Sequence, residues 1–240
     1  MIDDSWDNRT ELLLGRDKLV KLQDAHILVA GLGGVGSYVA ELLCRAGVGK
    51  ITIADSDIVQ ISNINRQIPA LTSTIGLKKT EIVSARLKDI NPKVIIEIYE
   101  KYLDENTISE LLNKNYDYVV DAIDTLTPKI SLISECVSKG VRLISSMGSA
   151  GKIDPSLVRI ADISESNGCK LAYYVRKKLH KQNIFTGVEV VYSPEVISRD
   201  CIELTDGSNN KKSIIGTISY MPAMFGVLCT SVIIRSLVKD

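Results

Sequence analysis

The chain has no CxxC pair, no net charge and only two histidines, and each shortage removes a class of function. Its five cysteines, Cys44, Cys136, Cys169, Cys201 and Cys229, are widely separated, so a structural zinc site of paired thiolates has no support. Single, scattered cysteines fit a reducing compartment, and a cytoplasmic location is the expectation. The 29 basic and 29 acidic residues cancel, so any contact with nucleic acid has to come from a local patch. Neither histidine suits proton transfer in a dehydrogenase: His26 opens a strand and His180 sits in a basic segment. The N-terminal MIDDSWDNRTELLLG lacks the charged-then-apolar layout of a signal peptide. Repeats, low-complexity tracts and domain-splitting linkers are also missing.

One long uncharged run does occur, the 21 residues 214–234, IIGTISYMPAMFGVLCTSVII. Its length would span a bilayer. However, Pro222 divides it, and Gly216, Thr217, Ser219 and Gly226 dilute it. Pro222 suits the first turn of a helix of roughly four turns, so a helix buried against a sheet is the expectation and membrane association is not.

The 240 residues suffice for one large α/β domain with a substantial core. Strand-length apolar runs at 26–30, 50–54, 94–99, 118–122 and 142–146 alternate with amphipathic stretches at 34–46, 78–90, 105–112 and 129–139. That alternation predicts a Rossmann-like, mostly parallel sheet with helices on both faces. Asn91–Pro92 stops the second helix, and Asp104 or Asn106 is placed to cap the third. From Gly148 the rhythm becomes irregular, and TDGSNNKK at 205–212 reads as a flexible polar loop. A single domain is therefore expected: an N-terminal helical arm (1–24), a nucleotide-binding core (25–147) and an irregular extension on the substrate and dimer side (148–240).

Gly31, Gly33, Gly34 and Gly36 follow a strand and open a helix. They allow a tight turn and close approach of phosphate to the amides at the helix start. Asp55, at the end of the second strand, stands where an acid accepts hydrogen bonds from ribose hydroxyls. These features alone do not separate NAD from ATP. The next block does: NINRQ (Asn63, Arg66, Gln67), GLKKTE (Lys78, Lys79) and VVDAIDT (Asp121, Asp124) add cations and carboxylates around the same loop. A diphosphate already served by glycines has no use for them. A reacting triphosphate needs Arg, Lys and Mg²⁺ to offset its charge, and Asp124 at a strand's carboxyl end is placed for the ion.

GxGGxG, then DxDxVxxSNxxRQ from Asp55 through Asp57 to Gln67, then the lysine after GL and the DAxD strand end together resemble the E1-like, ThiF-type, ATP-dependent adenylating superfamily. This superfamily includes ubiquitin-activating enzymes and activators of sulfur-carrier proteins. The resemblance implies ATP with Mg²⁺: Asp55 on ribose; Asp57, Asn63, Arg66 and Lys79 around the phosphates; Asp124 on the metal. It also implies that Arg9, in RTELLLG, reaches the ATP of a partner protomer, hence a homodimer. Arg9, Arg66, Lys79 and Asp124 form the expected catalytic set.

Within the superfamily, SSMGSAGKIDPSLVRIADISES at 145–166 resembles the GAGxxxDPTxxxxxDI segment of the tRNA threonylcarbamoyladenosine dehydratases, with Ser156 in place of the usual Thr. That branch adenylates the threonyl carboxylate of a modified adenosine beside the anticodon, and ring closure then expels AMP. The implied partners are ANN-decoding tRNA, bound through its anticodon loop, and a cysteine-desulfurase sulfur-relay system. The segment 170–181 supplies a basic patch free of acids: Lys170, Arg176, Lys177, Lys178, His180 and Lys181. On a helix, Arg176, Lys177 and His180 would share a face toward phosphate, with Tyr173 and Tyr174 available to stack on a base. The rival readings are an activator of a ubiquitin-like carrier's C-terminal glycine, a non-catalytic nucleotide-binding scaffold and a nicotinamide dehydrogenase. The first is disfavoured by the missing zinc pairs, and its only candidate thioester nucleophile, Cys201, has in Arg199 and Asp200 no clear thiolate-stabilising setting.

Overall fold

The computed structural model describes residues 5–204 and 213–239. The segment 205–212, read above as a polar loop, lies outside the described residues. Seven strands make one sheet: β1 (His26–Ala30), β2 (Lys50–Ala54), β3 (Ile95–Tyr99), β4 (Tyr118–Asp121), β5 (Leu143–Ser146), β6 (Arg159–Asp162) and β7 (Glu189–Tyr192). Their spatial order is β3-β2-β1-β4-β5-β7-β6. Every neighbouring pair is parallel except β6 with β7. A separate antiparallel pair joins β8 (Ile202–Leu204) to β9 (Ser213–Ile215).

The helices are α1 (Asn8–Leu14), α2 (Arg16–Asp24), α3 (Gly36–Arg45), α4 (Lys79–Ile90), α5 (Glu105–Leu111), α6 (Leu126–Lys139), α7 (Lys170–His180) and α8 (Tyr220–Leu237). Strand β1 shows why helices cover both faces, because successive strand residues point to opposite sides. Ile27 and Val29 enter a core shared with α3, α4 and α8, while Leu28 and Ala30 enter one shared with α5, α6 and α7. The buried helix expected for the uncharged run is α8. It is long and apolar enough to cross a membrane by composition, yet Met221, Phe225, Cys229 and Ile233 are fully buried in the first core. Gly226 permits this packing, since a Cβ there would lie 2.8 Å from Tyr38 Cβ on α3.

Strands β1 and β2 keep the bounds read from sequence, and the other boundaries shift by at most three residues. The largest shift is α6, which starts at Leu126 and not at Lys129. Asp104 is the cap of α5, its Oδ1 accepting from Thr107 N at 2.9 Å. The 148–240 part is more regular than its rhythm suggests, for β7 and β6 extend the same sheet. The chain builds β2 and β3 on one side of β1, then crosses to the other side with β4. The carboxyl ends of β1 and β4 thus border the crevice where strand order reverses, the place where open α/β sheets bind ligands.

Candidate active site

The loop from β1 to α3 is shaped by two glycines. Gly31 has φ of +91°, and a Cβ on it would stand 2.8 Å from the Ala122 carbonyl oxygen just beyond β4. Gly36, the first residue of α3, lies against the Gly31 carbonyl with no room for a side chain. The result is a helix start at the crevice, where amide N–H groups and the helix dipole favour phosphate. Other residues close over this loop. A Cβ on Gly34 would meet Pro222 Cβ at 2.9 Å and Arg66 Cγ at 3.4 Å, and one on Gly33 would meet Gln67 Nε2 at 3.8 Å.

Asp55 leaves the end of β2 and binds the same loop: its Oδ2 accepts from Leu32 N at 2.6 Å, and its Oδ1 from Asp57 N at 2.8 Å. Burial raises its pKa, against the lowering effect of Lys79. Lys79, only 4% exposed, donates from Nζ to Asp57 Oδ2 at 2.8 Å. Asn63 is buried and caps the short 3-10 turn Ile61–Asn63, its Oδ1 accepting from Gln60 N at 3.1 Å. Arg66 Nη1 donates to Ser62 O at 2.8 Å and to Asn65 Oδ1 at 2.7 Å. Burial pulls the Arg66 pKa down, and the charge of Asp124 opposes that. Asp124 is exposed in the loop after β4, within electrostatic reach of Arg66.

The structure therefore gathers Gly31, Gly33, Gly34, Gly36, Asp55, Asp57, Asn63, Arg66, Lys79 and Asp124 at one sheet edge. Arg9 is not among them. It is exposed on α1, a helix with no buried residue that packs on α2. The basic patch also differs from expectation. Arg176 does not face outward with Lys177: its Nη1 donates to the Ser166 carbonyl and hydroxyl, which holds it half-buried against the turn before α7. Lys178 and His180 are exposed at the flanks, and the outward face carries Lys170, Tyr173, Tyr174, Lys177 and Lys181 at helical spacing. The two tyrosines are each 52% exposed and meet edge-on, ring centroids 5.3 Å apart.

Sequence reasoning missed a buried charge cluster under the site. Lys129 and Asp121 are wholly buried, and Lys129 Nζ donates to Asp121 Oδ2 at 2.6 Å and to the Ser146 carbonyl at 2.9 Å. Ser145 Oγ donates to Asp121 Oδ2, while Asp121 Oδ1 accepts from Ile123 N at 3.1 Å. The cluster fixes the turn that carries Ala122 against Gly31 and presents Asp124. A signal was available: Lys129 shares helical spacing with Leu132, Ile133 and Cys136, all buried. Asp154 and Ser156 prove to be a local turn, with Ser156 Oγ donating to Asp154 Oδ1 at 2.6 Å, a bond that threonine would also make.

Two cations and three carboxylates now surround a helix start. Among the described residues no three His, Cys, Asp or Glu side chains form a metal cluster. Mg²⁺ binds through one or two carboxylates with phosphate oxygens and water as remaining ligands, so Asp124 fits such an ion beside a bound triphosphate. A cleft of about 370 Å³ opens near Tyr118, Arg142 and Glu189, at the amino ends of the strands and away from this chemistry.

Residues 8–240 match the model of the ThiF family. The chain is 38% identical to the tRNA threonylcarbamoyladenosine dehydratase of Bacillus subtilis (strain 168), with 97% of this chain and 94% of that protein covered. It is 36% identical to the protein of the same name from Haemophilus influenzae, with 93% and 89% covered. The crystal structure of Escherichia coli tRNA N6-threonylcarbamoyladenosine dehydratase in complex with ATP superposes with a TM-score of 0.88 at 32% identity, covering 99% of this chain and 96% of that one. With its glycine loop, its Arg66, Lys79 and Asp124 and a match along nearly its whole length, the chain belongs to the ThiF family of E1-like adenylating proteins.

Proposed function

We propose that the protein is an ATP-dependent tRNA-modifying enzyme that cyclises the threonylcarbamoyl group of N6-threonylcarbamoyladenosine. The observation that carries this reading is the convergence of Arg66, Lys79 and Asp124 on the glycine loop, in a chain that aligns end to end with dehydratases of this name. The threonyl carboxylate attacks the α-phosphorus of ATP, the bond to the bridging oxygen breaks, and pyrophosphate leaves. The substrate's own carbamoyl group then attacks the acyl carbon, a proton departs, and AMP is expelled. Carboxylate is a poor electrophile, and adenylation turns its oxygen into a leaving group. Holding both ends of a small intramolecular reaction supplies much of the remaining acceleration.

In this scheme the loop amides and α3 bind phosphate, and Asp55 orients ribose. Arg66 and Lys79 offset charge on the leaving pyrophosphate; Lys79 exchanges its bond to Asp57 for one to phosphate. Mg²⁺, held by Asp124 and the phosphates, would supply further charge neutralisation. Asn63, its oxygen committed to the turn, offers its amide nitrogen.

The finer partners belong to the same proposal. The substrate is the anticodon loop of ANN-decoding tRNA, held through Lys170, Lys177, Lys178 and Lys181, with Arg176 buttressing α7 from beneath. The working form is a cytoplasmic homodimer in which Arg9 reaches the other protomer's ATP. Exposed Leu12 and Leu13 on α1 (77% and 82%) and Ile61 and Leu71 (74% and 56%) support an apolar interface. A cysteine-desulfurase sulfur-relay system is a further partner. Pyrophosphate release, compared with modified tRNA, unmodified tRNA and a ubiquitin-like carrier ending in glycine, tests the assignment. Release with modified tRNA alone is expected, whereas release with the carrier alone would replace this function by carrier activation.

A further inference from the structure

A cleft of about 320 Å³ opens between residues 151–153, 195–196, 198, Cys201 and 216–218. Ile153, Val196 and Ile218 give it apolar walls, and each is partly solvent-exposed. Lys152 lies at its inner side, 1% exposed. Its Nζ donates to the carbonyls of Ser193 at 3.0 Å and Glu195 at 2.6 Å. The Glu195 carboxylate does not pair with it; that group instead accepts from Ile153 N and Asp154 N, at 3.0 and 3.1 Å. An ammonium has three donors and no acceptor, so one N–H of Lys152 has no acceptor among the described residues. Burial accordingly lowers its pKa. A buried, incompletely paired donor on the wall of a cleft is a group waiting for an acceptor.

The cleft adjoins the phosphate site through one side chain. Asn65 Nδ2 donates to the Thr217 carbonyl at 2.9 Å, on the cleft wall, while its Oδ1 accepts from Arg66 at 2.7 Å. On the other wall Tyr220 donates to the Ile153 carbonyl at 2.9 Å, and two residues further along α8 Pro222 closes on Gly34. One side chain, Asn65, thus separates the cleft wall at Thr217 from Arg66.

We propose that this cleft seats a carboxyalkyl-ureido substituent of a purine, with Lys152 Nζ donating its remaining N–H to the ureido carbonyl oxygen. This rests on the function proposed above. The carboxylate must point to the α-phosphate beside Arg66, which leaves the ureido oxygen as the acceptor for Lys152. Ile153, Val196 and Ile218 pack against the aliphatic and purine surfaces.

The test is steady-state kinetics on the full-length protein with tRNA carrying the threonylcarbamoyl group, alongside melting temperature. Lys152→Met, which keeps length and loses the donor, is expected to lower kcat/KM for tRNA at least tenfold and leave the KM for ATP unchanged. Lys152→Gln retains a donor and is expected to recover most of the loss. A role limited to holding residues 193–195 would instead lower the melting temperature and raise both KM values together, which overturns the proposal. So does a Lys152→Met enzyme with wild-type kcat/KM. Should Lys152→Met fail to fold, Ile218→Trp, at a position 42% exposed, obstructs the cleft without touching the core. Its expected signature is a raised KM for tRNA alone, and wild-type kinetics there also overturns the proposal. Wild-type protein inactive on modified tRNA but active on a carrier would instead sink the function itself.

Discussion

Lys129 and Asp121 carry opposite charges in a place with no solvent, and every donor of Lys129 has an acceptor in Asp121, Ser145 and Ser146. Removing one partner of such a pair leaves an uncompensated buried charge, which costs about 3–5 kcal/mol. Lys129→Met should therefore destabilise the protein by that order in urea unfolding, and the Asp121→Asn, Lys129→Met double variant by clearly less. Equal losses would mean that the pair contributes little beyond packing. Asp124, three residues beyond Asp121, presents the opposite case, because it is exposed and the core does not need it. Asp124→Ala should retain the wild-type melting temperature and lose Mg²⁺-dependent turnover by a hundredfold or more, of order 3 kcal/mol in the barrier. Full turnover in a stable Asp124→Ala protein would remove that carboxylate from the site. The contrast explains what was legible from sequence at this scale. Asp55, Arg66, Lys79 and Asp124 stand in a spaced motif that resembles that of the E1-like adenylating proteins. Lys129 and Lys152 interrupt apolar or loop stretches, and only folding shows which oxygens accept their hydrogen bonds.

At the scale of elements, periodicity was a good guide wherever one face of a strand or helix is buried. Strands β1 and β2 sit where their apolar runs predict, and α8 lies where Pro222 and the uncharged run place it. Beyond Gly148 the guide weakened, since β6 at the sheet edge is only partly buried and carries little apolar pattern. Helix α7 was placed correctly, but the face it presents was not, because Arg176 turns back to Ser166. The first turn of α7 also lies at the active edge: a Cβ on Gly148, two residues past β5, would come within 3.7 Å of Cys169 Sγ and Leu171 Cβ. RNA phosphates following α7 would run outward from there along Lys170, Lys177 and Lys181, with the tyrosine pair between. Replacing these three lysines by alanine should weaken tRNA binding and reduce its log–log salt slope by about 0.7 for each lost contact, roughly 2 in all. The KM for ATP should not move. Equal slopes for variant and wild type would leave α7 an ordinary solvated helix.

For the whole molecule, the question is how one chain completes its site. Arg9 sits on a surface helix outside the cluster that holds Arg66 and Asp124. A two-fold dimer with Arg9 acting in trans would add a third cation to the site. Mixing Arg9→Ala with Arg66→Ala protein should then restore about a quarter of wild-type activity, because half the dimers are hybrids and each hybrid has one intact site of two. No recovery on mixing, with wild type active as a monomer, would place Arg9 outside the mechanism. The central claim is adenylation followed by ring closure on RNA. It is tested most directly by incubating the protein with ATP labelled at the α-phosphate and tRNA carrying the threonylcarbamoyl group. The expected result is one AMP and one pyrophosphate for each modified nucleoside that becomes lighter by one water. ADP as product, or AMP released while the nucleoside keeps its mass, would contradict the account.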